Sequence, residues 1–138
     1  MNSLELSKII ADQAHQTKAL DLKILDLRKL STFTDFFVIC SGTSGRQMSA
    51  IAERVVVELK KQNIRPLSVE DSNSSQWILA DYGDVVLHVF NPESRSHYDL
   101  EGYWGKASRV RLASHKKTTR TPKTKTKSET QTRKRRKS

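Results

Sequence analysis

The sequence predicts an α/β fold, a mixed β-sheet flanked by helices, with a disordered C-terminal tail. Three observations carry that reading. Met48, Ile51, Ala52, Val55, Val56 and Leu59 recur at i, i+3, i+4, i+7, i+8 and i+11, one unbroken apolar stripe on a helix. Residues 36–40 read FFVIC, a continuous apolar run of the kind a central, doubly covered strand presents. Residues 77–90 read WILADYGDVVLHVF, two apolar runs joined at a Tyr-Gly pair, as in a tight β-hairpin.

The elements follow in order. Ser3 can cap a first helix, whose apolar positions Leu6, Ile9, Ile10 and Ala14 keep helical spacing. Residues 21–30 (DLKILDLRKL) read as a strand, a short turn follows at 31–35, and the strand at 36–40 comes next. Thr43 or Ser44 can cap the striped helix, and Asn63 ends it. A short strand near 66–69 leads into the polar loop EDSNSSQ and then the hairpin. Asn91-Pro92 opens a short helix, because asparagine caps and proline is tolerated at the first helical position. Alternating helices and strands with one late hairpin argue for a mixed sheet.

Charge divides the chain. From His115 onward there are eleven basic residues and one acid, which account for the whole net charge of +10. Residues 1–114 balance at 14 basic and 14 acidic, and up to Gly105 the acids lead by three. From Ser114 onward the chain has no large apolar residue, so burial cannot offset its ordering entropy. The expected division is a folded domain at 1–111 and a disordered basic tail at 112–138. Cys40 is the only cysteine, so no internal disulfide forms and a reducing compartment is the simplest reading. Residues 1–20, interrupted by Glu5 and Asp12, are neither a signal nor a transit peptide. No apolar run approaches the ~20 residues that span a bilayer. A soluble cytoplasmic protein without membrane contact is expected.

The chemistry turns on the hairpin. With Tyr82-Gly83 as a two-residue turn, Asp81 faces Asp84 and Trp77 faces His88. Ile78, Ala80, Val85, Leu87 and Val89 then share one apolar face. Trp77, Leu79, Asp81, Asp84, Val86, His88 and Phe90 share the other, which is amphipathic. A metal on both Asp84 and His88 fails on distance, since four residues of strand cover roughly 13 Å while zinc donors lie about 2.0–2.2 Å from the ion. Asp81 and Asp84 alone lack further ligands and read as turn residues. His88 reads as a half-buried imidazole against Trp77, with no Ser or Cys nucleophile beside it in sequence. Cys40 reads as core. The stretch SGTSGRQ at 41–47 joins a strand to a helix N-terminus, where backbone N–H groups could hold phosphate. It lacks the lysine of a P-loop and the three glycines of a dinucleotide fingerprint, so it reads as a turn with a cap. No cofactor or metal is expected.

TDFFVICSGTSGRQ, WILADYGDVVLHVF and RSHYDLEGYW resemble, in order and spacing, the ribosomal silencing factor (Iojap-like) family, over about residues 4–104. The resemblance implies an α/β sandwich of nucleotidyltransferase-like topology, no catalytic activity and frequent homodimers. It implies binding to the large ribosomal subunit through ribosomal protein fourteen, which blocks subunit joining and represses translation under nutrient limitation. By position the matching partner-binding residues are Trp77, Asp81, Tyr82, Asp84, His88, Arg95, Tyr98, Glu101 and Trp104. Gly83 matches as turn geometry and Leu100 as packing. Gly45 and the tail depart from the pattern. The residues themselves agree: an aromatic anchor on a non-catalytic face suits a protein interface, and an acidic domain suits a basic ribosomal protein.

For the tail, Arg133, Lys134, Arg135, Arg136 and Lys137 are candidates for contact with ribosomal RNA phosphates. RKRRK also has the composition of a nuclear localisation signal, though nothing else points to a nucleated cell. Two other classes stay open. One is a nucleotidyltransferase-like enzyme with phosphates at SGTSG and a cation at Asp81 and Asp84, needing a third acid from Asp26, Asp35 or Glu70. The other is a nucleic-acid-binding protein acting through its tail.

Overall fold

The structure, a computed structural model, describes residues 1–71 and 76–111. The tail candidates Arg133, Lys134, Arg135, Arg136 and Lys137 lie outside the described residues, as does most of the polar loop before the hairpin.

Helix α1 spans Ser3–Gln16 and is capped by Asn2, one residue earlier than expected. Asn2 accepts from the Glu5 N–H while the Glu5 carboxylate accepts from the Asn2 N–H, a reciprocal box that Ser3 has no partner to build. Strand β1 (Leu20–Asp26) pairs antiparallel with β2 (Phe36–Ser41). Helix α2 (Gly45–Lys60) starts at the Ser44 cap and buries Met48, Ile51, Ala52, Val55 and Leu59. Gly42, just before it, lies so close to α2 that an added Cβ would stand 2.8 Å from Met48 Cγ and 3.1 Å from the Met48 nitrogen. Strand β3 (Ser68–Asp71) is shifted two residues from the expected position and is exposed throughout.

Strands β4 (Trp77–Asp81) and β5 (Val85–Phe90) form the hairpin. Helices α3 (Pro92–Tyr98, capped by Asn91) and α4 (Leu100–Tyr103) follow, then a two-residue strand β6 (Ser108–Arg109) that the sequence did not announce. Among the described residues the strands form one six-stranded sheet in the order β3-β4-β5-β2-β1-β6. Only β2 and β5 pair in parallel, Phe36 beside Val85 through Ser41 beside Phe90.

Alternation along these strands makes two cores. Ile24, Phe36, Val38, Cys40, Ile78, Ala80, Val85, Leu87 and Val89 meet α1 and α2 in the larger one. Leu25, Leu27, Ile39 and Phe90 form a smaller one on the other face, roofed by Leu100, Trp104 and Ala107. That roof leaves part of the second face open.

Candidate protein-docking face

The hairpin register differs from the expected one by two residues. Trp77 pairs with Phe90, Leu79 with His88 and Asp81 with Val86. The Tyr82 N–H donates to the Val85 carbonyl, so the two-residue loop is Gly83-Asp84, with Gly83 at φ +86° where an L side chain would be strained. Asp81 therefore does not face Asp84, and Trp77 does not sit opposite His88. A slip of two leaves every side chain on its face, so the division into an apolar and an amphipathic face stands.

On the second face the ring systems form a continuous band. Trp77 stacks on Phe90 (centroids 5.0 Å apart) and leans on Tyr98 at 4.7 Å. His88 meets Phe37 edge-on at 4.4 Å, and Phe37 meets Trp104 at 6.1 Å and 89°. Trp77, Phe37 and Trp104 are half-buried, and Tyr98 is 47% exposed. Phe37 is the member sequence reading missed. Taken as one apolar run, 36–40 hides its parity, yet strand alternation already puts Phe37 and Ile39 opposite Phe36, Val38 and Cys40.

His88 is only 4% exposed and holds this band in place. The indole Nε1–H of Trp77, diagonal to it across the hairpin, donates to His88 Nδ1 at 3.1 Å. That bond assigns the neutral imidazole's proton to Nε2, which is buried without a hydrogen-bond partner among the described residues. Burial drives the pKa of His88 down to about 3. With Nδ1 committed to the indole and burial disfavouring its charged form, His88 serves to orient Trp77.

Arg95 and Glu101 also stand behind the face. Arg95, 9% exposed, donates from Nε and Nη2 to the two oxygens of Glu101, each at 3.0 Å, and from Nη1 to Ser41 Oγ at 3.0 Å. Lys23 reaches Glu101 from β1 at 3.1 Å. The hydrogen bonds from Arg95, and secondarily Lys23, hold the Glu101 carboxyl below the usual carboxylate range. This network bolts α3 and α4 to β1 and β2 and so fixes Tyr98 and Trp104. Asp99, at φ +46°, turns the chain between the helices and accepts from the Gly102 N–H.

At the turn the acids have local duties. Asp81 accepts from the Gly83 N–H at 2.7 Å, and the Asp84 carbonyl accepts from the Asp35 and Phe36 N–H groups. Asp84 itself is exposed. Tyr82 packs its ring on the larger core, and burial pushes its hydroxyl up to about 12. Among the described residues, no three His, Cys, Asp or Glu side chains gather as a metal site. The α2 N-terminus is closed by its own side chains: Ser44 Oγ accepts from the Gln47 N–H, and Gln47 Oε1 accepts from the Thr43 N–H and hydroxyl. Among the described residues, no helix is long and apolar enough to cross a membrane.

Comparison with known proteins places these features. The family described as "Ribosomal silencing factor during starvation" matches residues 1–138. The chain is 37% identical over 107 residues to ribosomal silencing factor RsfS of Bacillus subtilis, covering 78% of this chain and 91% of that protein. It is 33% identical over 92 residues to a mouse protein named for mitochondrial assembly of the ribosomal large subunit, covering 64% of this chain and 40% of that one. A crystal structure of a Chromobacterium violaceum protein superposes with a TM-score of 0.73 at 34% identity, over 82% of this chain and 93% of that one.

Proposed function

The chain belongs to the ribosomal silencing factor family, and from that premise we propose that it binds the large ribosomal subunit through ribosomal protein fourteen, blocks joining of the small subunit and represses translation when nutrients are short. The observation that carries this reading is the open aromatic band, in which Trp77 leans on Tyr98 and is held by its hydrogen bond to His88. Rigid aromatic anchors supply binding energy at low entropic cost. Trp77, Tyr98 and Trp104 make the apolar contact, and Asp81 and Asp84 meet cations of the partner at its rim. His88, Arg95, Glu101 and the ring of Tyr82 act from behind, by fixing those side chains. Blocking is steric and needs no reaction, so the protein is not an enzyme in this scheme. The tail adds phosphate contacts with ribosomal RNA through residues such as Arg133, Lys134, Arg135, Arg136 and Lys137.

The test is sedimentation of separated subunits with excess protein. Joined ribosomes should fail to form, and the protein should travel with the large subunit. Normal joining at saturating protein would overturn the proposal. Trp77→Ala should weaken binding by about 2 kcal/mol or more, as truncated hot-spot aromatics do.

A further inference from the structure

Charge is sorted across the sheet. Glu70 and Asp71 on β3, Asp81 on β4 and Asp84 in the hairpin turn put acids at one side. Five strand spacings, roughly 24 Å, separate β3 from β6, and the β1–β6 side carries Arg28, Lys29, Lys106, Arg109 and Arg111, all exposed, together with Asp21 and Asp26 of β1. Arg28 is engaged by Asp26 at 2.6 Å. Among the described residues no ion pair forms to Lys29, Lys106 or Arg109.

Three of these cations, Arg28, Lys29 and Lys106, line a concavity, and Arg109 follows Ser108 at its margin. Arg28, Lys29, Leu30 and Lys106 line a cleft with Ser108 and with Asp26, whose carboxylate is taken up by Arg28, and Leu30 and Lys106 continue into a second cleft walled by Tyr103 and Trp104. Tyr103 is 78% exposed, with its ring edge-on to Trp104 at 5.3 Å. A flat ring standing free beside unpaired cations offers both things a single nucleic-acid strand needs, a stacking plane and phosphate partners. The chain leaves the described fold at Arg111, on this same side, and its next 27 residues carry the eleven basic side chains. A lipid surface fits less well, since α4 is four residues long and presents no extended amphipathic face.

We propose that the β1–β6 edge is a single-stranded RNA site, with Lys29, Lys106 and Arg109 taking backbone phosphates and Tyr103 taking a base. The site adjoins the aromatic band at Trp104 and belongs to the folded domain, so it is distinct from contacts made by the tail.

The test uses the full chain and a fluorescent twelve-nucleotide RNA of mixed sequence, with affinity measured by anisotropy over a range of salt. Lys29→Ala/Lys106→Ala/Arg109→Ala should lower affinity at least about tenfold. It should also reduce the slope of log affinity against log salt by about 2, at roughly 0.7 per single-strand phosphate contact. The charge-matched variant Lys60→Ala/Lys61→Ala/Arg65→Ala, at and just beyond the C-terminal end of α2, should change affinity less than about threefold. Tyr103→Ala should weaken RNA binding about tenfold while leaving binding to poly-glutamate unchanged, since that polyanion has no base to stack. Equal losses from the two triple variants would overturn the site and leave RNA binding to the tail. Equal losses of Tyr103→Ala on RNA and poly-glutamate would show polyanion attraction without base recognition. Naked RNA is the probe, so failure here leaves docking to ribosomal protein fourteen untouched, and the reverse holds.

Discussion

His88 makes the folded state acid-sensitive over a range set by its burial. An unfolded histidine titrates near 6.5, whereas burial holds the folded one near 3. Above pH 6.5 both states are neutral at this position and it adds no pH dependence. Below pH 6.5 the unfolded chain takes up a proton that the folded chain refuses, so stability falls until the pH nears 3. Between pH 7 and pH 5 the loss works out at about 2 kcal/mol for this one group. A folded value a unit higher would change that figure little, because pH 5 would still lie well above it. The assay is urea unfolding of the parent and His88→Leu at pH 7 and pH 5. Other titrating groups contribute equally to both proteins and cancel in the difference. His88→Leu removes the buried, unpartnered Nε2–H, and the Trp77 indole is only half-buried, so the variant should fold and should lose about 2 kcal/mol less than the parent on acidification. Equal losses for the two proteins would refute the reasoning, and would mean that His88 reaches solvent and protonates in the folded state.

Other outcomes follow from the same structure. Glu101→Gln strips a buried guanidinium of its carboxylate and should cost about 3 kcal/mol in urea unfolding, the lower end for a broken buried pair because Glu101 is partly exposed. The Glu101 carboxyl is held below the ordinary range, so its stabilisation is complete above about pH 4.5 and lost as pH falls through the depressed value; the variant should lack that acid limb. Cys40 is fully buried and its thiol is pushed up to about 12, so a thiol reagent should label the native protein only at its rate of unfolding, and fast labelling would show an open β2. Removing residues 112–138 should leave inhibition of subunit joining in place while reducing affinity for ribosomes and flattening its salt dependence; identical salt slopes would mean that the tail touches no RNA.

Much of the fold was legible because period alone carries it. The stripe from Met48 to Leu59 specified α2 and its buried side, and alternation specified both hairpin faces despite the misplaced turn. The turn was misjudged because Tyr82-Gly83 looks like a loop pair, whereas Tyr82 has a large ring to bury and Gly83 suits the first loop position, where φ is positive. Strand β6 is two residues long and exists only as a partner of Leu25 and Asp26, so no local pattern announces it. Which candidate residues are open and which are held inside was hidden in the sequence. Arg95 meets Ser41 and Leu20 across 54 and 75 positions, and Lys23 meets Glu101 across 78. Contacts of that span are products of topology. Only after the sheet order is known does Arg95 change from a candidate contact into the bolt beneath Tyr98.

The single parallel pairing in the sheet also governs how the chain is made. Antiparallel β1 and β2 can join as soon as both leave the ribosome, with a short connection to close. The other edge of β2 must wait for β5, which is synthesised only after α2, β3 and β4. At roughly 5–20 residues per second, the wait for Val85 after Phe36 lasts several seconds. Throughout it, the strongly apolar β2 shows an open row of amide and carbonyl groups, which is a template for pairing with another nascent chain. Helix α2 is complete early in that interval and can shield one face of the strand, but it cannot cap the edge. Slow translation between residues 41 and 85 therefore prolongs the exposure of this edge and raises the risk of aggregation.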